Sequence, residues 1–321
     1  MNRHAGKNSH KNARKSEAPV PGDGPFFESL TWLLSRGAWT AAIHPGRGAQ
    51  VLSLRYNGRP VLREPDSLAA LDAESMLYGM PFLFPPNRVA DGRFVFDGKS
   101  YELPLNEPAR NNHIHGLFAG AVFTVAESGP SHLTTKLENT GEAFSFPCRV
   151  IMRDRLGEDG FCRETEIENT GTTDMPVEMG FHTTFAAPGA FQVPIDQRWE
   201  TDERFLPTGR LVSLDSKEQD IVAGCGPRGS RVSGFYTAQA GSVGRLARIG
   251  AFYYQVSEEF TDWVLFSRDG ESWVCVEPQS GPVNQLNHPE CRRLAPGEKI
   301  CFWQRISLAD RKAALPTIDG K

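Results

Sequence analysis

Pro81 to Gly116 reads PFLFPPNRVADGRFVFDGKSYELPLNEPARNNHIHG, and its middle decides which periodicity governs the chain. Two alternating runs, Arg93-Phe94-Val95-Phe96 and Lys99-Ser100-Tyr101-Glu102-Leu103, flank Asp97-Gly98. Asp-Gly between alternating runs is a strong short-range hairpin signal, because the tight turn needs backbone conformations these two residues tolerate. A rigid β scaffold is therefore expected here, carrying a polar cluster. Asn87 brings an amide that donates and accepts, and Arg88 a planar cationic fork. His113 and His115 bring imidazoles that titrate near neutral pH.

The same period-2 pattern continues on both sides. Trp39 to Ile43 and Gln50 to Tyr56 alternate, and Asn57-Gly58 turns the chain into Arg59 to Leu62. Ala121 to Glu127, His132 to Glu138, Phe146 to Arg153 and Phe161 to Glu168 follow, then Phe252 to Val256, Trp263 to Ser267, Trp273 to Val276 and Ile300 to Ile306. Glu-Asn-Thr-Gly occurs twice, at 138–141 and 168–171, each time closing an alternating run. Only Asp66 to Met76 suits a short helix. Strands this numerous, with Gly, Pro and Asn turns, predict an all-β fold, a large antiparallel β-sandwich.

Composition narrows the class. The chain has 321 residues, 39% hydrophobic, with 31 Gly and 23 Pro, enough apolar material for one large β domain. Residues 1–24 stand apart, with five Lys/Arg before the first acid at Glu17 and little apolar content, so a disordered tail is expected there and a single domain over 25–321. The net charge of −4 argues against nucleic-acid binding. No run of eighteen apolar residues suggests a membrane span. Six scattered cysteines without CxxC spacing read as free thiols in a reducing, cytoplasmic compartment.

Three further groups could carry chemistry. His113 and His115, two apart on a strand, would share a face; they could hold a metal, hold a ligand, or be satisfied structurally. No acid follows them before Glu127, which leaves the ligand set for a metal short. His182, in Glu178-Met-Gly-Phe-His-Thr-Thr-Phe-Ala-Ala-Pro-Gly189, leaves a strand for a Gly/Pro-rich loop. Glu277, in Ser272-Trp-Val-Cys-Val-Glu-Pro-Gln-Ser-Gly281, alternates with Val274 and Val276 on an otherwise apolar strand that Pro278 is expected to end. A carboxylate there costs free energy unless it is paired or used.

Taken together, Asn-Arg, Asp-Gly-Lys-x-Tyr, His-Gly, a central His and Cys-Val-Glu-Pro-Gln-Ser-Gly, in this order from about Gly48 to Ser307, resemble the aldose 1-epimerase (galactose mutarotase) family. The resemblance implies that family's large β-sandwich and its reaction, interconversion of sugar anomers without metal or organic cofactor. It implies roles for five residues: Asn87, Arg88 and His115 binding the sugar, His182 as general acid and Glu277 as general base. His113 has no counterpart. Two departures stand out. Phe84-Pro85-Pro86 replaces the usual Gly-Arg, and Val232 to Thr237 holds no carboxylate where many members place one that grips a sugar hydroxyl.

In that mechanism Glu277 takes the C1 hydroxyl proton and His182 protonates the ring oxygen. The aldehyde then rotates, and the pair exchanges roles to close the ring. Glu277 is expected to start ionised, and its charge to raise the His182 pKa. The alternatives are a non-catalytic carbohydrate-binding module and an epimerase of a phosphorylated hexose using Arg88, Arg93 and Arg110. A cupin-like metal enzyme built on His113 and His115 and a two-carboxylate glycosidase are more remote.

Overall fold

The structure, a computed structural model, describes residues 30–226 and 231–309. The expected tail at 1–24 lies outside the described residues. Two antiparallel sheets dominate. The first runs in the order Thr124–Gly129, His132–Asn139, Cys148–Leu156, Gly160–Asn169, Lys299–Leu308, Phe252–Val256, Leu246–Ile249 and Phe191–Gln192. The second runs Pro207–Ser213, Ile195–Thr201, Val232–Ala238, Asp262–Ser267, Val274–Gln279, Gly180–Phe181 and Phe82–Leu83, with Thr184–Phe185 also paired to Val274–Gln279. The expected hairpin forms, Arg93–Phe96 against Lys99–Glu102, with Asp97 and Gly98 both at positive φ.

Alternation explains how the sheets meet. In the first, Val150, Met152, Phe161, Ile167, Phe302 and Ile306 point inward; in the second, Phe181, Trp263, Leu265, Val274 and Val276 do. All are buried in one core, so the sheets form a sandwich. Thr183 Oγ1 and Tyr254 Oη, 2.9 Å apart, link the layers, and the Tyr254 ring packs 5.3 Å from Phe185 and 6.0 Å from Trp263. A buried ion pair crosses the same interior. Arg163 donates from Nε and Nη2 to Asp154 at 2.7 and 2.8 Å and from Nη2 to the Ala49 carbonyl at 2.6 Å.

The repeated Glu-Asn-Thr-Gly turns share a physical role. Asn139 Nδ2 donates to the carbonyls of Phe144 and Phe146, both at 2.7 Å, and Asn169 Nδ2 to those of Thr173 and Leu294, both at 2.8 Å. Each buried amide supplies donors that loop carbonyls would otherwise lack.

Several boundaries differ from the sequence reading. The run from Ala121 enters its strand only at Thr124, and Arg59 to Leu62 keeps only Arg59–Pro60 as strand. Three strands, Trp32–Arg36, Ile195–Thr201 and Pro207–Ser213, had no clear periodic signal because most of their residues are exposed or half-buried. The short helix expected within 66–76 is Leu68–Ala73, capped by Ser67, followed by a 3-10 turn at Ser75–Leu77. A second helix, Ser216–Val222, was missed although Asp215 and Glu218 form a capping box, a signal legible in sequence. All six cysteines are free thiols, and among the described residues no helix is long and apolar enough to cross a membrane.

Candidate active site

The strand Val274–Gln279 lies inside the second sheet, between Asp262–Ser267 and the chain around His182. Val274 and Val276 enter the core, so Cys275 and Glu277 face the other way, and Glu277 is only 1% exposed. The expectation that Pro278 ends this strand is corrected, because Pro278 holds a ladder position opposite Trp263. Its missing N–H has a local consequence. Val276 N donates to Thr183 O and Ser280 N to Met179 O, both at 2.9 Å. The rung between them, Pro278 to Phe181, has no donor. The facing chain is correspondingly split into Gly180–Phe181 and Thr184–Phe185, with His182 in the gap.

Register then places His182. Gly180 pairs with Gln279 and Thr184 with Cys275, so His182 stands opposite Glu277. Its Nε2 lies 3.3 Å from Glu277 Oε1. Both side chains form the floor of a cleft of about 520 Å³.

The quoted segment forms one wall. Arg88–Ala90 pairs with Asn112–Ile114, which sets Asn87 opposite His115, and His115 N donates to Asn87 O at 2.9 Å. Both residues have positive φ, 52° and 65°. Gly116 explains why glycine follows His115. At φ +75°, a Cβ there would sit 2.3 Å from the Phe84 carbonyl oxygen. The His115 ring meets that of His182 at 5.1 Å, edge to face. Arg88 is held by Glu107, with Nε and Nη2 donating at 2.8 and 2.9 Å, while Nη1 donates to Asn87 Oδ1 at 3.3 Å. Phe205 lies between two guanidinium groups, 5.0 Å from Arg88 and 4.7 Å from Arg110.

Asn87, Arg88, His115, His182 and Glu277 thus line one cleft. His113 does not line it. The positive φ of His115 breaks the strand alternation that would have aligned the two imidazoles, and His113 Nδ1 contacts the Pro104 carbonyl at 2.7 Å. The cupin-like pairing is therefore not formed. A different trio has metal-ligand proximity: ligand atoms of His182, Cys275 and Glu277 lie within 4.8 Å of one another. Burial holds the Cys275 thiol well above its ordinary pKa, and its Sγ lies 3.2 Å from Thr184 Oγ1.

Electrostatics correct the protonation expected from sequence. Burial pushes the Glu277 carboxyl well above the usual range, opposed by the Gln279 amide and the Arg88 charge. Burial pulls His182 down to about 4. Burial thus favours the neutral forms of both groups, a carboxylic acid beside a neutral imidazole, over the carboxylate and imidazolium expected from sequence. Removing two charges from water outweighs their mutual attraction here. His115 is also lowered well below its usual value, by burial first and then by His182 and Arg88.

Sequence reading missed Glu74, Arg231, Phe235, Phe266 and Arg268, all lining the cleft. It also missed Glu107, the partner of Arg88. Nothing local marks them. Arg93 pairs with Glu102 on the surface, so of the three arginines considered as an anion site only Arg88 and Arg110 reach the cleft. No cleft residue between His182 and Glu277 is a carboxylate among the described residues.

A family model described as aldose 1-epimerase matches residues 31–307. The protein YihR of Escherichia coli (strain K12), described as uncharacterized, is 29% identical over 132 residues, covering 38% of this chain and 42% of that protein. The galactose mutarotase of Rattus norvegicus is 26% identical over 281 residues, 70% of this chain and 77% of that protein. Among solved structures, a galactose mutarotase-like protein from Clostridium acetobutylicum superposes with a TM-score of 0.78 at 23% identity, covering 85% of this chain and 93% of that one. The last likeness carries the fold.

Proposed function

The chain belongs to the aldose 1-epimerase family of carbohydrate isomerases, and from that premise we propose that it interconverts the α and β anomers of an aldose by acid–base opening and closure of the hemiacetal ring. One observation carries this reading: a buried imidazole and a buried carboxyl face each other at 3.3 Å on the floor of a sugar-sized cleft.

Ring opening removes a proton from the C1 hydroxyl and delivers one to the ring oxygen. The pair holds one transferable proton throughout. With a closed ring bound, Glu277 must be the carboxylate and His182 the imidazolium, so the proton first crosses from Glu277 to His182. Glu277 then takes the C1 proton while His182 protonates the ring oxygen. The result is an open aldehyde beside a protonated Glu277 and a neutral His182, the forms burial already favours. The neutral forms that burial favours thus match the open-chain intermediate. Rotation about C1–C2 and the reverse transfers give the other anomer. Arg88 Nη1, Asn87 and His115 lie where they can hold sugar oxygens, and Phe205, Phe235 and Phe266 offer apolar walls.

The pH dependence follows from the shared proton. Acidification through about 4 protonates His182 as well and leaves no base. Alkalinisation through the raised Glu277 value removes the only proton and leaves no acid. A bell in kcat/KM is expected, with its acid limb near 4 and its alkaline limb above the ordinary carboxylate range, both limbs belonging to the pair. A profile with no acid limb above pH 3 would reject this account.

Polarimetry or NMR exchange of freshly dissolved α-glucose and α-galactose tests the reaction itself. Enzyme-dependent equilibration supports it, whereas tight sugar binding without acceleration indicates a carbohydrate-binding module. Chelation with EDTA is expected to leave turnover unchanged. Loss of turnover on chelation, restored by a divalent ion, would instead assign His182, Cys275 and Glu277 to a metal centre.

A further inference from the structure

The second sheet presents its cleft face as a grid, and the grid has a charged end. Phe235, Val264, Glu277 and His182 stand opposite one another in one row. Two residues along each strand, Ser233, Phe266, Cys275 and Thr184 form the next row. Two residues further, just past the last paired positions Val232 and Ser267, the chain places Arg231 and Arg268, and both line the cleft. Both side chains are exposed, so this end of the grid presents two cationic groups to any anion that enters the cleft.

The available counter-charge is partial. Arg268 Nη1 pairs with Glu74 at 2.5 Å, and Glu74 is shared with Arg63 at 3.6 Å. The Asp269 carboxylate accepts from the Arg231 backbone N–H at 2.9 Å. Among the described residues the Arg231 guanidinium has no ion-pair partner. At the other wall Arg88 and Arg110 share the single carboxylate Glu107. Glu277 adds no negative charge while it keeps its proton. The cleft is therefore net positive within a chain of net charge −4. The stretch 232–237, which holds no carboxylate, contributes Ser233, Gly234 and Phe235 to the cleft.

We infer that the substrate is an aldose carrying an anionic group at the end away from C1, and that Arg231 and Arg268 receive that group. This rests on the anomer-exchange reading above. The arginine row lies four residues, about 13 Å, along the sheet from Glu277, and long side chains reach back across the intervening row. That spacing suits a hexose lying along the grid with C1 over Glu277 and His182 and its charged C6 group toward the arginines. Ser233 offers a hydroxyl between them, and Phe235 and Phe266 the apolar floor. A phosphate ester, a sulfate ester and a carboxylate share the required chemistry.

The test compares catalysed anomer exchange, above the spontaneous rate, for glucose, glucose 6-phosphate, glucose 6-sulfate and glucuronate, using wild type, Arg231→Gln and Arg231→Glu. At least one anionic sugar is expected to exceed glucose in kcat/KM by about tenfold or more, the scale of one hydrogen bond to a charged group. The best of the three identifies the anion. In Arg231→Gln the anionic-to-neutral ratio should fall about tenfold through KM, further in Arg231→Glu, with unchanged circular dichroism. Glucose turned over as well as or better than all three anionic sugars overturns this inference and leaves the epimerase reading standing. A preference that survives both Arg231 variants overturns the assignment of the anion to this pair. No exchange with any of the four sugars overturns both readings.

Discussion

Glu277→Gln is expected to lower kcat for anomer exchange by roughly 10²–10⁴ while the protein stays folded. The amide fills the same buried volume opposite His182. It neither ionises nor shuttles a proton, so both half-reactions lose their partner at C1. Burial of the native carboxyl already raises its pKa, so a neutral side chain suits the site and stability should hold or rise slightly. KM should change little beside kcat, because the lost interaction belongs to the transition state. Single-turnover exchange on a folded variant decides the matter. Turnover within a few-fold of wild type would remove Glu277 from the mechanism.

Asp154→Ala should produce the largest loss of stability, about 3–5 kcal/mol, read from urea unfolding. Asp154 and Arg163 are both fully buried, and Arg163 also donates to the Ala49 carbonyl. Removing the carboxylate strands a guanidinium in the sandwich interior, 5.9 Å from the ring of Phe181, the residue before His182. Replacing both partners together, Asp154→Leu with Arg163→Met, should recover most of the loss, since the penalty comes from an unpaired charge rather than from the absence of a pair. A single variant within 1 kcal/mol of wild type would mean that water reaches Arg163.

The β-sandwich and half of the site were legible because their signals are local. Alternation at 273–277 put Val274 and Val276 on one face and Cys275 and Glu277 on the other, and the structure keeps that division. Asp97-Gly98 located a hairpin. His-Gly at 115–116 was legible only as part of the family resemblance, and the structure supplies the reason for the glycine, a close approach to Phe84 that a Cβ would block. Polar edge strands such as Pro207–Ser213 carried no such signal, because neither face is buried enough to impose a pattern.

By itself, then, the order of residues determined which side chains share a face of each strand and where the chain turns, since both depend on neighbours one to four positions away. Tertiary structure alone decided which faces meet. Pairing in register across a sequence separation of 95 positions brings His182 to Glu277, and a one-residue slip would have turned either into the core. Pairing between Val232–Ala238 and Asp262–Ser267 sets Arg231 beside Arg268. Burial in the cleft also shifts the central pair toward its neutral forms, against the protonation expected from sequence, because desolvation depends on everything packed around a group and not on the residues beside it in the chain.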